Sequence, residues 1–233
     1  MSESPAAPAE KSAERPTASD PALLAPSELR KQLGVTEEQV SFDRVGGRIA
    51  TARFENSGLT SVEPLRGIAL RELDMRSEKV ADLSPLASSR LELLILKDTP
   101  VTDLSPFAGS PVQAMGLDNT PVTDIRPVVS EHLKQAEFVS VPIEDLSPLK
   151  GAPLEYLWVE KTQVHDISPL GGLDLPKMYL KDSPVEDVSP LSGKSFEELD
   201  LSGTKIADLE PLRSNRLGIL WLRGTAVTDL SPL

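Results

Sequence analysis

Eight aspartates stand 21 residues apart along the chain, from Asp82 through Asp103, Asp124, Asp145, Asp166, Asp187 and Asp208 to Asp229. Carboxylates at fixed spacing are the raw material of a calcium ladder. Calcium takes roughly six to eight oxygen ligands, whereas here each interval offers one aspartate, which its own turn needs as an acceptor for backbone N–H groups. The column is therefore read as turn chemistry, and no metal is expected. His132 and His165 are the only histidines and stand on separate connecting segments. There is no phosphate loop, kinase signature, GxSxG or HExxH, so neither catalysis nor a cofactor is expected. With no cysteine, a disulfide framework and a thiolate zinc site are excluded. Recognition chemistry is left to the aromatics with a polar handle: Tyr156, Trp158, Tyr179 and Trp221, all the Tyr and Trp in the chain.

What brings those four together is an internal repeat. Prolines stand at 64, 85, 106, 127, 148, 169, 190, 211 and 232, each 21 residues after the last, with no insertion to break the register. Units counted from Ile49, Leu70, Leu91, Val112, Leu133, Leu154, Leu175, Phe196 and Leu217 are apolar almost throughout at positions 1, 4, 6, 11, 14 and 17. Alternation at 4 and 6 is the period of a strand with one buried face. One such unit cannot enclose six apolar side chains, but stacked units can, because each covers its neighbour. The chain reads as a solenoid.

The remaining fixed columns have mechanical readings. Position 9 is threonine in Thr99, Thr120, Thr162, Thr204 and Thr225, where a hydroxyl can bond the backbone of the adjacent turn. Position 13 is the aspartate column. Positions 15 and 16 are usually Ser-Pro, read as a serine cap followed by a proline that starts a short 3₁₀ or α turn. Position 19 is Gly67, Gly109, Gly151, Gly172 or Gly193, suited to leaving that turn. The unit from Leu133 departs most, with Ala136 at a leucine position and Val141 at the threonine position, and a local irregularity is expected there.

The pattern LxxLxLxxTxVxDLSPLxG resembles the leucine-rich repeat family, with threonine where the family's asparagine usually sits. Its DLSPL segment looks most like the short-helix repeats of internalin-type bacterial proteins. Similar arrays also occur in extracytoplasmic parts of bacterial serine/threonine kinases. The resemblance covers about 49–233 and implies an α/β repeat fold. That fold is a leucine-rich repeat solenoid with a parallel concave β-sheet and short 3₁₀ or α turns on the convex side.

Every column fixed by the repeat is explained by folding, so function belongs to the columns that vary. Positions 3 and 5 point away from the core. Read along the array they are Thr51/Arg53, Glu72/Asp74, Leu93/Ile95, Ala114/Gly116, Gln135/Glu137, Tyr156/Trp158, Lys177/Tyr179, Glu198/Asp200 and Ile219/Trp221. All four polar aromatics fall in these two columns, while Phe54, Phe107, Phe138 and Phe196 occupy core columns. Tyr and Trp are the residue types most enriched at binding hot spots. Tyr156, Trp158 and Tyr179 are expected to form one patch, edged by Lys161, Lys177 and Lys181, with Glu198 and Asp200 beyond. Leu93 and Ile95, with Ala114 and Gly116, are expected to form a second, shallower apolar site. Ile219 and Trp221 sit near the open end, where whatever follows could cover them.

The ends carry the remaining expectations. Residues 1–27, rich in Pro, Ala, Ser and Glu and without an aromatic, read as a disordered tail, because they cannot bury enough apolar surface to offset ordering. Residues 28–48 read as an N-terminal cap, with Val40 and Phe42 over the first turn. Within this region SELRKQLG reads as a helix from a Ser27 cap to Gly34, and VSFDRVGGRIATARF as two strands around Gly46-Gly47. The solenoid, 49–233, ends on an incomplete ninth unit whose Leu230 and Leu233 would face water. The net charge of −12 excludes a nucleic-acid or anionic-membrane surface, and no apolar run is long enough to span a bilayer. Without a signal peptide a cytoplasmic location is expected, or a secreted or cell-surface one if the chain is a fragment. Three functions are in play. The first is a non-catalytic scaffold binding a protein ligand on the concave sheet. The others are an assembly element stacking through its C-terminal end and the sensory segment of a larger receptor or kinase.

Overall fold

The computed structural model describes residues 20–233. Its backbone is a run of strands joined by 3₁₀ turns. After helix α1 (Pro26–Leu33) come β1 (Val40–Val45), β2 (Arg48–Glu55), β3 (Glu72–Arg76), β4 (Leu93–Ile95) and β5 (Ala114–Gly116). They are followed by β6 (Gln135–Glu137), β7 (Tyr156–Trp158), β8 (Lys177–Tyr179), β9 (Ser195–Asp200) and β10 (Arg216–Trp221). The ten strands form one sheet in chain order. β1 pairs antiparallel with β2, and every later pairing is parallel, with partners 21 residues apart such as Thr51, Glu72 and Leu93. A solenoid with a parallel sheet on one side and short 3₁₀ turns on the other is thus what the sequence builds. No helix among the described residues is long and apolar enough to cross a membrane.

Positions 1, 4, 6, 11, 14 and 17 fill the interior. In the unit from Leu91 these are Leu91, Leu94, Leu96, Val101, Leu104 and Phe107, all at most 1 % exposed. Each such side chain contributes roughly 1.5–3 kcal/mol on burial, gained only when a neighbouring unit lies against it. The irregularity expected in the unit from Leu133 does not occur. Ala136 stays in register between Met115 and Leu157, and Val141 is buried as Thr99, Thr120, Thr162 and Thr204 are. An alanine is tolerated because Met115 and Phe138, both buried in the same core, supply volume around it.

Two hydrogen-bond columns hold the turns. Each of the eight aspartates accepts, through Oδ1, the backbone N–H of the residue two positions on, at 2.7–3.0 Å. The serine after it does not act as the cap that the sequence reading assigns to it. In five units its Oγ donates to the same aspartate's Oδ2 at 2.7–3.0 Å, and the carboxylate supplies the cap. The threonine hydroxyls bond the backbone of their own turn rather than the neighbour's, and Thr162 alone among them also meets the next turn, its Oγ1 lying 3.1 Å from Ser183 Oγ. Thr99, Thr120, Thr204 and Thr225 donate to the carbonyl three residues earlier at 2.6–2.9 Å, and Thr162 does so at 3.4 Å. In the unit before, Glu78 takes the threonine place. It is 2 % exposed and reaches back one turn to accept from the N–H groups of Ser57 and Leu59 at 2.6 and 2.9 Å.

A further column escaped the sequence reading. Position 8 of every unit lies in the left-handed region: Asn56, Ser77, Asp98, Asn119, Ser140, Lys161, Asp182, Gly203 and Gly224. This conformation aims the position-8 N–H at the next turn. Seven successive bonds result, from Ser77 to the Lys97 carbonyl through Gly203 to the Arg223 carbonyl, at 2.8–2.9 Å.

The front of the solenoid is covered by the β1–β2 hairpin and the segment before it. Val40 and Phe42 are buried, and the Phe42 ring meets Phe54 edge-on at 6.3 Å. Gly46 and Gly47 both take positive φ at the hairpin tip, the pattern of a tight two-residue turn. Helix α1 begins two residues earlier than expected: Ala25, not Ser27, stands at the cap with no side-chain bond, and Pro26 opens the helix. It ends as expected on Gly34, left-handed at φ 72°. Residues 20–27, expected to belong to the tail, carry structure. Pro21–Leu23 form a 3₁₀ turn capped by Asp20, and Ala22 is buried. The rest of the expected tail, 1–19, lies outside the described residues.

Two outcomes follow for stability. Lys161 is the one position-8 residue with a long side chain, held at φ 53°, where L-residues are strained by about 1–2 kcal/mol and asparagine much less. Lys161→Asn is expected to raise the unfolding free energy by up to ~1 kcal/mol, read from urea melts. The second concerns acid. Asp82, Asp124, Asp145, Asp166, Asp187 and Asp229 are held below their ordinary value, chiefly by hydrogen bonds from the residue two positions on, and Asp124 lies at about 2. A carboxyl with a depressed folded pKa stabilises above its unfolded value of 3.8 and loses that contribution as pH falls through the folded one. Unfolding should therefore steepen between about pH 4 and 2 with uptake of several protons, and Asp145→Asn should reduce that uptake.

Candidate ligand-binding face

Parallel pairing 21 residues apart carries positions 3 and 5 of successive units onto one outward sheet face. Tyr156 and Trp158 project from β7, Lys177 and Tyr179 from β8, Glu198 and Asp200 from β9, and Ile219 and Trp221 from β10. The structure brings the four expected aromatics into a single row. Tyr156 stacks on Trp158 with centroids 5.8 Å apart and planes 6° from parallel, and Trp158 on Tyr179 at 4.7 Å and 5°. Trp221 joins across β9: its ring leans to 6.5 Å from Tyr179 with a tilt of 30°. The small Asp200 between them in register allows this approach. Trp221 therefore belongs with the patch rather than with the chain end alone.

The row is pinned by polar contacts. Lys177 Nζ lies 5.3 Å from the Tyr156 ring centroid and 3.0 Å from Glu198, with Glu197 at 3.7 Å. The Tyr179 hydroxyl donates to Glu198 Oε2. Burial, followed by that bond, pushes the Tyr179 hydroxyl up to about 12, while Glu198 is lowered by Tyr179 and then Lys177. Lys177 is raised chiefly by its bond to Glu198. Stacking hides the ring faces from water and turns their edges outward, so the row is a rigid ridge. Its side-chain entropy is already spent before any ligand arrives. Lys161 and Lys181, expected to edge it, are exposed alongside.

The second expected site is different in kind. Leu93 and Ile95 are half-buried, and Gly116 is buried with Lys97 across it: a Cβ added there would stand 2.8 Å from Lys97 Cε and 3.2 Å from Ile95 Cδ1. Lys97 Nζ bonds Asp118 Oδ2 at 2.9 Å and Glu137. Burial opposes the Lys97 charge, but these two carboxylates outweigh it and raise its pKa. This part of the face is a closed polar clasp over a small apolar floor.

Position 7 is the column missed here. It lies two residues beyond position 5, so strand alternation carries it to the same face. It brings Lys97 and Asp118 into the clasp, and Glu160, Lys181 and Arg223 to the aromatic row. Glu160 is half-buried, and its carboxyl is raised first by burial and then by the charge of Asp200. Beside Trp221 opens a hollow of about 590 Å³ whose lining includes Lys181, Asp182, Asp200, Ser202, Gly203 and Arg223.

No protein-family model and no curated protein matches the sequence. Solved structures do. Internalin C2 of Listeria monocytogenes is 28 % identical with a TM-score of 0.69, over 87 % of this chain and 93 % of that one. An internalin, InlF, of the same bacterium is 20 % identical at 0.67, and the likeness covers 77 % of this chain and 63 % of the other. The functional domain of L. monocytogenes InlJ, which includes a cysteine ladder, is 19 % identical at 0.54, over 78 % and 46 % of the two chains. This chain has no cysteine; its turns are joined by serine, threonine and backbone bonds. The 21-residue period, the in-register parallel sheet, the 3₁₀ turns and these likenesses agree: the chain folds as an internalin-like leucine-rich repeat solenoid.

Proposed function

We propose that the chain is a non-catalytic scaffold that binds a protein ligand on its outward sheet face, with Tyr156, Trp158, Tyr179 and Trp221 as the anchoring row and Lys177 bracing it. The internalin-like fold supports an interaction role. The observation that carries the reading is the row itself: every tyrosine and tryptophan of the chain lies in one stacked ridge on one face. Core packing does not require them there, because each unit's six apolar columns are filled without them. Leu93 and Ile95, under Lys97, are a secondary contact area at most. A second reading is assembly through the last turn. Ile219, Leu230 and Leu233 are 48, 59 and 54 % exposed, and Leu217, Leu220, Leu222 and Val227 are only partly covered. A further copy packed there would bury them.

The first reading predicts that lysate capture by the native chain retains a partner that is lost with Tyr156→Ser, Trp158→Ser, Tyr179→Ser, both proteins melting alike. Capture unchanged by the triple substitution would remove the ridge as the site. Assembly predicts a mass that rises with concentration in sedimentation and returns to monomer when a polar repeat is appended after Leu233. A constant monomer mass would exclude it.

A further inference from the structure

The ridge is rich in hydrogen-bond donors, and folding uses few of them. Of its four polar tips only the Tyr179 hydroxyl has a partner among the described residues, Glu198. The Tyr156 hydroxyl and the indole N–H groups of Trp158 and Trp221, on half-buried or exposed rings, are left for other acceptors. Charge does not choose the ligand, because Lys181 and Arg223 line the hollow beside Trp221 together with Asp182 and Asp200. A row of rings with outward donors suits a backbone that is extended, stiff and rich in free carbonyls. A polyproline II segment is all three, since it makes no internal hydrogen bonds and proline fixes φ before binding. Proline-rich segments dock on aromatic-lined surfaces for this reason.

The chain carries such a segment itself. Residues 1–19 hold Pro5, Pro8 and Pro16, and Pro5-Ala6-Ala7-Pro8 has the PxxP spacing. In polyproline II this puts both prolines on one edge of a turn, about 9 Å apart. The root of the segment is fastened at the front of the solenoid. Ala22 is buried, Asp20 pairs with Arg48, and Arg44 donates to the Leu23 and Leu24 carbonyls. From β2, which Arg48 opens, five strand intervals lead to β7, about 24 Å at the usual strand spacing. The twelve residues from Asp20 back to Pro8 span about 37 Å as polyproline II. That reach brings Pro8 to Tyr156 and Pro5 onward to Trp158 and Tyr179. We infer that residues 1–19 are the chain's own occupant of the ridge, with the Pro5–Pro8 turn against Tyr156, Trp158 and Tyr179. This rests on the reading of the ridge as the ligand-binding face, and it gives the ligand its chemistry, an extended proline-rich segment. The tether holds the tail at roughly millimolar effective concentration, so an outside ligand binds by displacing it.

The test uses the full chain. Because it has no cysteine, Ser4→Cys gives a single site for a bimane label, whose emission tryptophan quenches on contact. The labelled protein is compared with two further variants. Trp158→Phe keeps a ring in the stack, and Pro5→Ala, Pro8→Ala lies outside the repeats and leaves their packing untouched. The expected result is emission at least about twofold brighter in both variants, from loss of a contact held at high effective concentration. Pro16→Ala should change little, and quenching in the native protein should not depend on dilution. Equal emission from the native and Trp158→Phe proteins, or quenching that fades on dilution, would overturn the inference. The lysate comparison with the Tyr156→Ser, Trp158→Ser, Tyr179→Ser protein would then still decide the ridge on its own. Quenching that survives Pro5→Ala, Pro8→Ala would also overturn it, since the tail would then be held by its tether and not by its prolines.

Discussion

One hydrogen bond, repeated, sets the geometry of the solenoid. At position 8 the chain turns into left-handed backbone, and the N–H so redirected donates to the carbonyl 20 residues later, in the following turn. The bond fixes the distance between turns and the moment at which the strand ends. Everything after it, from the threonine back-bond to the aspartate cap and the proline turn, brings the chain back to the same place one level up. Because the bond joins neighbouring turns only, its strength depends on the neighbour being folded. This is the origin of nearest-neighbour cooperativity in repeat proteins.

The period, the buried columns and the two outward columns were legible because each is a matter of residue type at fixed spacing. The left-handed column was not, since nine units fill it with Asn, Ser, Asp, Lys or Gly, a set united by turn chemistry rather than by likeness. Serine was credited with the cap that aspartate makes, because both residues are good caps and sequence alone does not say which oxygen reaches the N–H. The expected disturbance at Ala136 failed for a different reason. A missing leucine volume is a property of the packed neighbours: Met115 fills the same column one unit earlier, and Phe138 belongs to another column of the pattern.

At the site, sequence placed the right side chains on the right face but missed how they are coupled. That Trp221 would lean across β9 depends on Asp200 being short. That Leu93 and Ile95 would lie under a clasp depends on Gly116 leaving room for Lys97. In both places a small residue on one strand decides the reach of a large one on the next. This is a cross-strand relation, invisible to a reading along one column. The outward face is therefore a set of local arrangements, each spanning three strands: a lysine clasp over β4–β6 and a ring stack over β7–β10.

The ring stack also gives the molecule an uneven optical character. Trp158 and Trp221 are the only tryptophans, and both lie on β7–β10, so near-ultraviolet emission comes from that stretch of the coil alone. The β1–β6 half is dark. Fraying that starts at the hairpin would proceed unseen by fluorescence while backbone dichroism fell, whereas fraying from the last turn would register in emission first. The order of the two signals reports which end of the coil opens.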